Sequence, residues 1–287
     1  MDYININSFI LGTIFFALLY LSNVVYYFLC IYNKIKINEF TVFFNPWFSF
    51  HKENIGGIKF SLGWLPLGCY VKILGMKVDD EEKKKFSDSE LPFTFFTKPK
   101  YFRTLFSLIP WLIFVVAFFL SLIFYTNVNG FGNGLKNIIE FIILAFKTMF
   151  ENESMRDAFV DLTKEITTDK NIILFDFLLL TFYMVIIIPI SLLLEWFNDE
   201  NTKSKIRKVL GHILTIGGFW IIFWKIPKFV FSFFEFDQSI IFILSFIIGL
   251  FSIGLVCYFV TLFLVKTFFY KLHVMKEQDK TSHNNLS

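Results

Sequence analysis

Charge is scarce in this chain of 287 residues: Asp, Glu, Lys and Arg together supply 18%, against 55% hydrophobic residues. A soluble domain needs more charge than that to cover its surface, so that class is excluded. The net charge is only +3, and no basic stripe interleaves with stacking aromatics, which excludes nucleic acid as a partner. Cysteine is nearly absent. Cys30, Cys69 and Cys257 form no C-x-x-C pair, so neither a disulfide framework nor a sulfur-ligated metal site is implied. The four histidines (His51, His212, His273, His283) include no pair at i, i+3 or i, i+4, and no helix face offers zinc two imidazoles. Met1 to Ser8 holds no Lys or Arg. A signal peptide wants a basic start, so the first apolar run reads as a retained helix.

What the chain has is phenylalanine, 43 residues of it, and a mean hydropathy of +0.60. The apolar residues gather into five runs: Phe9 to Ile31, Leu105 to Tyr125, Ile172 to Phe197, Val209 to Trp224 and Ile240 to Val265. Each is read as crossing the bilayer, the fourth being short for it. Twelve Lys/Arg lie between Lys34 and Arg103, and five between residues 128 and 171. The positive-inside rule then places the N-terminus outside and the C-terminus in the cytoplasm, as an odd span count requires.

Residues 33–104 break the helical pattern between the first helix (1–32) and the second (105–127). Ile35-Lys36-Ile37 and Ile58-Lys59-Phe60-Ser61-Leu62 alternate as half-buried strands do. Asn45-Pro46, Gly56-Gly57, Gly63 and Gly68 punctuate them as turns. A small β-sheet or set of hairpins at the inner membrane surface is expected. The run Asp79-Asp80-Glu81-Glu82 followed by Lys83-Lys84-Lys85 reads as a solvated loop or helix start. Within 128–171, residues 134–151 read as an amphipathic or partly buried helix carrying Glu140, placed in the outer interface. Helices three to five occupy 172–268, and 269–287 is a polar tail.

The run Phe60-Ser61-Leu62-Gly63-Trp64-Leu65-Pro66-Leu67-Gly68-Cys69-Tyr70-Val71-Lys72 resembles the Y-S-L-x-x-I-P-L-G-G-Y-V-K strand of site-2 proteases, the intramembrane zinc metalloproteases. Lys34-Ile35-Lys36-Ile37-Asn38-Glu39-Phe40-Thr41-Val42-Phe43-Phe44-Asn45-Pro46 is similar to that family's G-I-K-V-x-E-F-S-I-G-F-G-P. Lys98-Pro99-Lys100-Tyr101-Phe102-Arg103 looks like its K-P-x-W-K-R. The resemblance covers residues 22 to about 114 and implies a site-2-protease-like core. The expected fold is thus an α-helical polytopic membrane protein of about five spans, with a small membrane-associated β element after the first helix. The expected location is the bacterial inner (cytoplasmic) membrane.

The family's chemistry is another matter. Its H-E-x-x-H motif holds zinc with two His on one helix face and activates water with the Glu. In register those five positions are Ser22, Asn23, Val24, Val25 and Tyr26. Anchored on Pro189, the position of the third ligand, an Asp, falls at Leu194 and that of an Asn at Ile186. A supporting Asn of the second helix maps to Ile113 or Phe114. The resemblance therefore implies a pseudoprotease with no metal, no cofactor and no catalytic residue, Ser22, Asn23, Tyr26 and Leu194 being degenerate counterparts. Many members carry a PDZ domain after the second helix, and residues 128–171 are too few for one. In the family, the sheet beside the first helix takes up an extended segment by strand addition, which needs no zinc. That assigns partner binding to Phe60, Ser61, Leu62, Gly63, Tyr70 and Val71. The partners expected are other integral membrane proteins or a transmembrane segment, with membrane lipid around them. Two alternatives stand beside this scaffold reading: an active metallopeptidase with unmapped ligands, and a transporter or channel component. The near absence of charge inside the spans weighs against the last.

Overall fold

The computed structural model describes residues 4–76, 83, 86–150, 155–166, 172–197, 205–225 and 236–284, with backbone alone at 166, 192, 194–197, 205–208, 222–223, 236–239 and 269–284. The acidic run at 79–82 and Lys84-Lys85 lie outside the described residues. Two compact units divide the chain: Gly12–Pro110 with Phe246–Ser287, and Met1–Leu11 with Trp111–Ser245.

The first unit carries the sheet. Helix α1 (Ile6–Tyr32) is a 27-residue apolar run. It ends in a Schellman motif: Ile35 N–H donates to the Cys30 carbonyl at 2.8 Å and Lys34 N–H to that of Ile31 at 3.1 Å. Lys34 takes the left-handed position of that motif, at φ 53°. Four strands follow: β1 (Ile37–Phe44), β2 (His51–Ile55), β3 (Ile58–Leu62) and β4 (Leu65–Ile73). Their order in the sheet is β2-β3-β1-β4. Gly56 and Gly57, both at positive φ, make the two-residue turn between β2 and β3 that pairs Ile55 with Ile58. β1 runs parallel to β3 and antiparallel to β4. A β element over 35–74 was expected, and the structure has one.

Alternation sorts the sheet's two faces. Phe40, Val42, Phe60 and Leu62 join one buried cluster with Phe16 of α1 and with Leu250, Tyr258 and Leu262 of the last helix, α7 (Phe236–Asn284). Glu39, Thr41, Lys59 and Ser61 take the other face. Phe43 breaks the alternation. The register slips between Val42 and Phe44, and Phe43 sits at φ 65°, a region costly for any residue with a Cβ. The twist swings its ring into the same apolar cluster as Val42, where it stacks on Phe251 at 5.2 Å and meets Phe16 edge-on. Gly254 leaves the space it fills: a Cβ there would come within 2.1 Å of the Phe43 ring. Gly12 does the same for backbone, since its Cβ would lie 2.2 Å from the Phe246 carbonyl oxygen.

The second unit is helical. Its elements are the later part of α2 (Lys100–Asn129), α3 (Phe131–Phe150), α4 (Arg156–Ile166), α5 (Ile172–Phe197) and α6 (Lys205–Trp220), the last continued by a π turn at Ile221–Lys225. Tyr125, Ile138, Phe175 and Leu178 form its buried centre. Pro189 within α5 cannot donate to the Val185 carbonyl. The Trp111 indole N–H does so instead, at 3.0 Å, so the freed acceptor is not left bare.

Among the described residues, four helical stretches are long and apolar enough to cross a membrane: Ile6–Tyr32, Lys100–Asn129, Ile172–Ser191 and Ile240–Phe268. They match four of the five runs, and the chain is a polytopic membrane protein by that measure. The expectation of a span at Val209 to Trp224 is corrected. Its apolar helix is Val209–Trp220, and at 1.5 Å per residue it reaches about 18 Å of a hydrocarbon core about 30 Å thick. Among the described residues the count is four, so an odd number of crossings no longer supports opposite sides for the two termini.

Candidate partner-binding surface

The residues that stand at zinc-site positions in the family pattern are occupied with packing. Ser22 and Asn23 of α1 are 2% and 7% exposed. Both donate to the Leu19 carbonyl one turn back, the Ser22 hydroxyl at 2.7 Å and the Asn23 amide at 2.9 Å. Tyr26 stacks on Phe106 of α2 with centroids 4.3 Å apart. Leu194 lies in α5, with its side chain outside the described residues. Ile186 is largely exposed on α5 and Phe114 is buried in α2. Among the described residues, no three His, Cys, Asp or Glu side chains are grouped as metal ligands would be. His51 makes its own contact, Nδ1 to the Tyr258 hydroxyl at 2.6 Å.

The sheet brings four of the six expected partner-binding residues together in rows. Phe60, Phe40 and Val71 are neighbours across β3, β1 and β4, as are Ser61, Thr41 and Tyr70. The rows do not, however, offer β3 as an edge. β3 is paired on both sides, and Phe60, Ser61 and Leu62 are buried. The assignment of those three to an open edge is therefore corrected: their backbone is committed to β2 and β1, and Phe60 and Leu62 belong to the core. Gly63 is buried too, its α-carbon pressed so close to the Phe43 and Phe44 carbonyls that a Cβ would come within 2.5 Å of each. Tyr70 and Val71 differ, because among the described residues β4 pairs with β1 alone. Leu67 and Lys72 of β4 are exposed. Pro66, between the two glycines (Gly63 and Gly68) read in the sequence as turns, lies inside β4, which an edge strand tolerates since one side needs no donors. The Tyr70 hydroxyl donates to the Asn45 side-chain oxygen at 2.6 Å, fixing the loop after β1 over the end of this strand.

A charged network on the polar face escaped the sequence reading. Lys59 Nζ lies 2.9 Å from Glu39 Oε1, the Ser61 hydroxyl donates to that same oxygen at 2.8 Å, and Thr41 and Ser61 share a hydrogen bond of 2.8 Å. Burial alone would raise the Glu39 carboxyl. Hydrogen bonds from Lys59, Ser61 and Thr41 and the Lys59 charge outweigh it and hold the group below the ordinary Glu range. The signal was available, since residues 39, 41, 59 and 61 share strand parity, but only the parallel pairing of β1 with β3 puts them side by side. Burial pushes the Cys69 thiol up to about 12, so it is no nucleophile at neutral pH. An aromatic group is exposed in the loops beside the sheet: Trp64 stacks with Trp47 at 5.3 Å and with Phe48 at 5.8 Å, and Trp47 is 81% exposed.

No protein-family model matches this chain, and no curated protein matches it. The likeness to site-2 proteases rests on the residues quoted above.

Proposed function

We propose that the chain is a site-2-protease-like membrane protein that has given up hydrolysis and binds or scaffolds other membrane proteins, with the open side of β4 around Tyr70 and Val71 as its partner surface. One observation carries the likeness furthest. Lys34 and Phe43 have positive φ, and in the family pattern quoted above both positions are Gly. A backbone shaped for glycine, retained after the glycine is gone, is what descent from that family would leave, because αL costs other residues about 1–2 kcal/mol. Gly68, also at a family Gly, has φ 142°. For the function itself, support comes from the engaged Ser22, Asn23 and Tyr26 and from the one-sided pairing of β4.

The test is site-specific photocrosslinking in native membranes. A photoreactive residue at Leu67 or Lys72 should join a discrete membrane protein or transmembrane segment, whereas one at Val42, buried under the helices, should not. Equal yields at both places would remove β4 as the surface. Stoichiometric zinc in chelator-washed protein, with peptide cleavage, would return the chain to the active enzymes. We infer the orientation from the Lys/Arg distribution: residues 34–103 face the cytoplasm. Labelling of a cysteine placed at Lys84 from outside the cell would reverse it.

A further inference from the structure

Helix α3 is too polar to be a span and too apolar to stand in water. It has 20 residues but is absent from the four stretches apolar enough to cross. Its side chains divide into three strips. Gly134, Ile138 and Phe141 turn toward the helical unit's own core, where Ile138 and Phe141 pack with Tyr125 of α2 and Phe175 of α5. Lys136, Glu140 and Lys147 lie together on the opposite side, Lys136 paired with Glu140 one turn on. Between these strips runs a third, of Phe131, Leu135, Ile139, Ile143 and Phe146, spaced by three or four residues and exposed from 38% to 74%; beyond its end the Lys225 ammonium lies over the Phe150 ring. An amphipathic helix that already has a core face does not need a second apolar one.

The level of α3 says what covers that strip. The helix follows α2 after one residue, Gly130, at φ 81°. Its first turn touches α2 near the end of the span, since a Cβ on Gly134 would lie 3.1 Å from the Thr126 α-carbon. Its middle rests at the start of the next span, Phe141 meeting Phe175 with ring centroids 5.0 Å apart. Thr126 is three residues from the end of α2 and Phe175 three from the start of α5, or about 5 Å of helix rise in each case. Two points a full two turns apart on α3 therefore sit at the same depth, within a turn of where two candidate spans end. A helix held so lies along the membrane surface. Its free apolar strip also continues the exposed apolar residues of α2, Phe119, Ile123, Phe124 and Val128, which a span turns to lipid.

We propose that α3 is an interfacial helix whose Phe131–Phe146 strip is immersed in the bilayer, the partner being the lipid acyl-chain boundary, while Lys136, Glu140 and Lys147 face water. The reading rests on the spans alone and not on the pseudoprotease proposal.

The experiment uses the unaltered full chain in phosphatidylcholine nanodiscs. An apolar carbene precursor dissolved in the lipid, and a water-soluble one in a second sample, are photolysed, and labels are mapped by peptide mass spectrometry. The lipid-borne reagent should mark Phe131, Leu135, Ile139, Ile143 and Phe146 on a par with the exposed Tyr183, Ile186 and Ile190 of α5. It should spare Lys136 and Glu140, which the water-soluble reagent should mark as it marks α4. Labelling of the strip by the water-soluble reagent overturns the proposal, for the helix then stands clear of the membrane. Labelling of the strip by neither reagent overturns it as well, for protein then covers it.

Discussion

The helices of one unit and the sheet of the other satisfy their polar groups in different ways. In the helical unit the hydroxyls of Thr126, Thr148, Thr163, Thr181 and Thr215 each return to a carbonyl four residues back on their own helix. In the sheet of the other unit the bonds run between elements: Ser61 to Glu39, Tyr70 to Asn45, His51 to Tyr258, and Lys266 of α7 to Glu53 of β2 at 2.8 Å. A helix carries its backbone partners within itself, whereas a sheet beside a membrane depends on distant residues to complete it. Sensitivity to substitution should therefore concentrate in the sheet-bearing unit.

The largest effect should come from Phe43. Phe43→Ala removes a ring with no exposed surface and should cost about 3–5 kcal/mol in thermal or denaturant unfolding in mild detergent. Phe43→Gly should cost less than Ala, because Gly accepts the left-handed backbone. If Ala is the better tolerated, φ 65° does not describe this residue. Next, Gly12→Ala drives a Cβ into the Phe246 carbonyl and should lose about 2–3 kcal/mol. Gly217→Ala, on α6 with nothing within 4 Å, should be neutral or gain up to about 1 kcal/mol. Equal losses in the two variants would erase the contrast between the units.

Ser61→Ala leaves Glu39 and Thr41 each short of a partner and should cost about 1–3 kcal/mol. The pH dependence sharpens this. Glu39 titrates lower in the folded protein than an unfolded Glu, so its contribution is complete above the ordinary Glu range and fades as pH falls through the depressed value. Glu39→Gln should flatten that acid limb of the stability curve, and an unchanged limb would locate the titration elsewhere. On the helical side, Trp111→Phe strips the Val185 carbonyl of its donor and should cost about 1–2 kcal/mol. The smallest change is a gain. Lys34→Gly should add up to about 1 kcal/mol by relaxing the end of α1, read as a rise in melting temperature.

The same contrast governs how much could be read beforehand. Four spans are legible because a bilayer-crossing helix announces itself by length and apolarity alone. The strand at 58–62 is legible from its alternation, and the Gly56-Gly57 turn from its residues. The depth of 60–62 in the sheet is not, because nothing local states that β1 will run parallel to β3 and that β2 will cover its other side. Gly63 and Gly68 disguised the start of β4 as turns, and the tolerance of an edge strand for Pro66 between them depends on being the edge. The run at 209–224 misled in the other direction, since its α-helix stops at Trp220 and passes into a π turn. For the site, Ser22, Asn23 and Tyr26 were found by register with a motif, whereas the Glu39 network needed the topology.

The dependence of the sheet on α7 also sets an order of events during synthesis. Phe43, Val42 and Leu62 reach their final surroundings only when Leu250, Tyr258 and Leu262 arrive. At the usual 5–20 residues per second, the chain between β4 and those residues takes roughly 10–35 s to emerge. For that interval the strands, with Phe43 still free to relax out of its left-handed twist, have α1 but not their second cover. A nascent chain stopped before residue 246 should therefore present this sheet to proteases and chaperones, even with α1 and α2 in place.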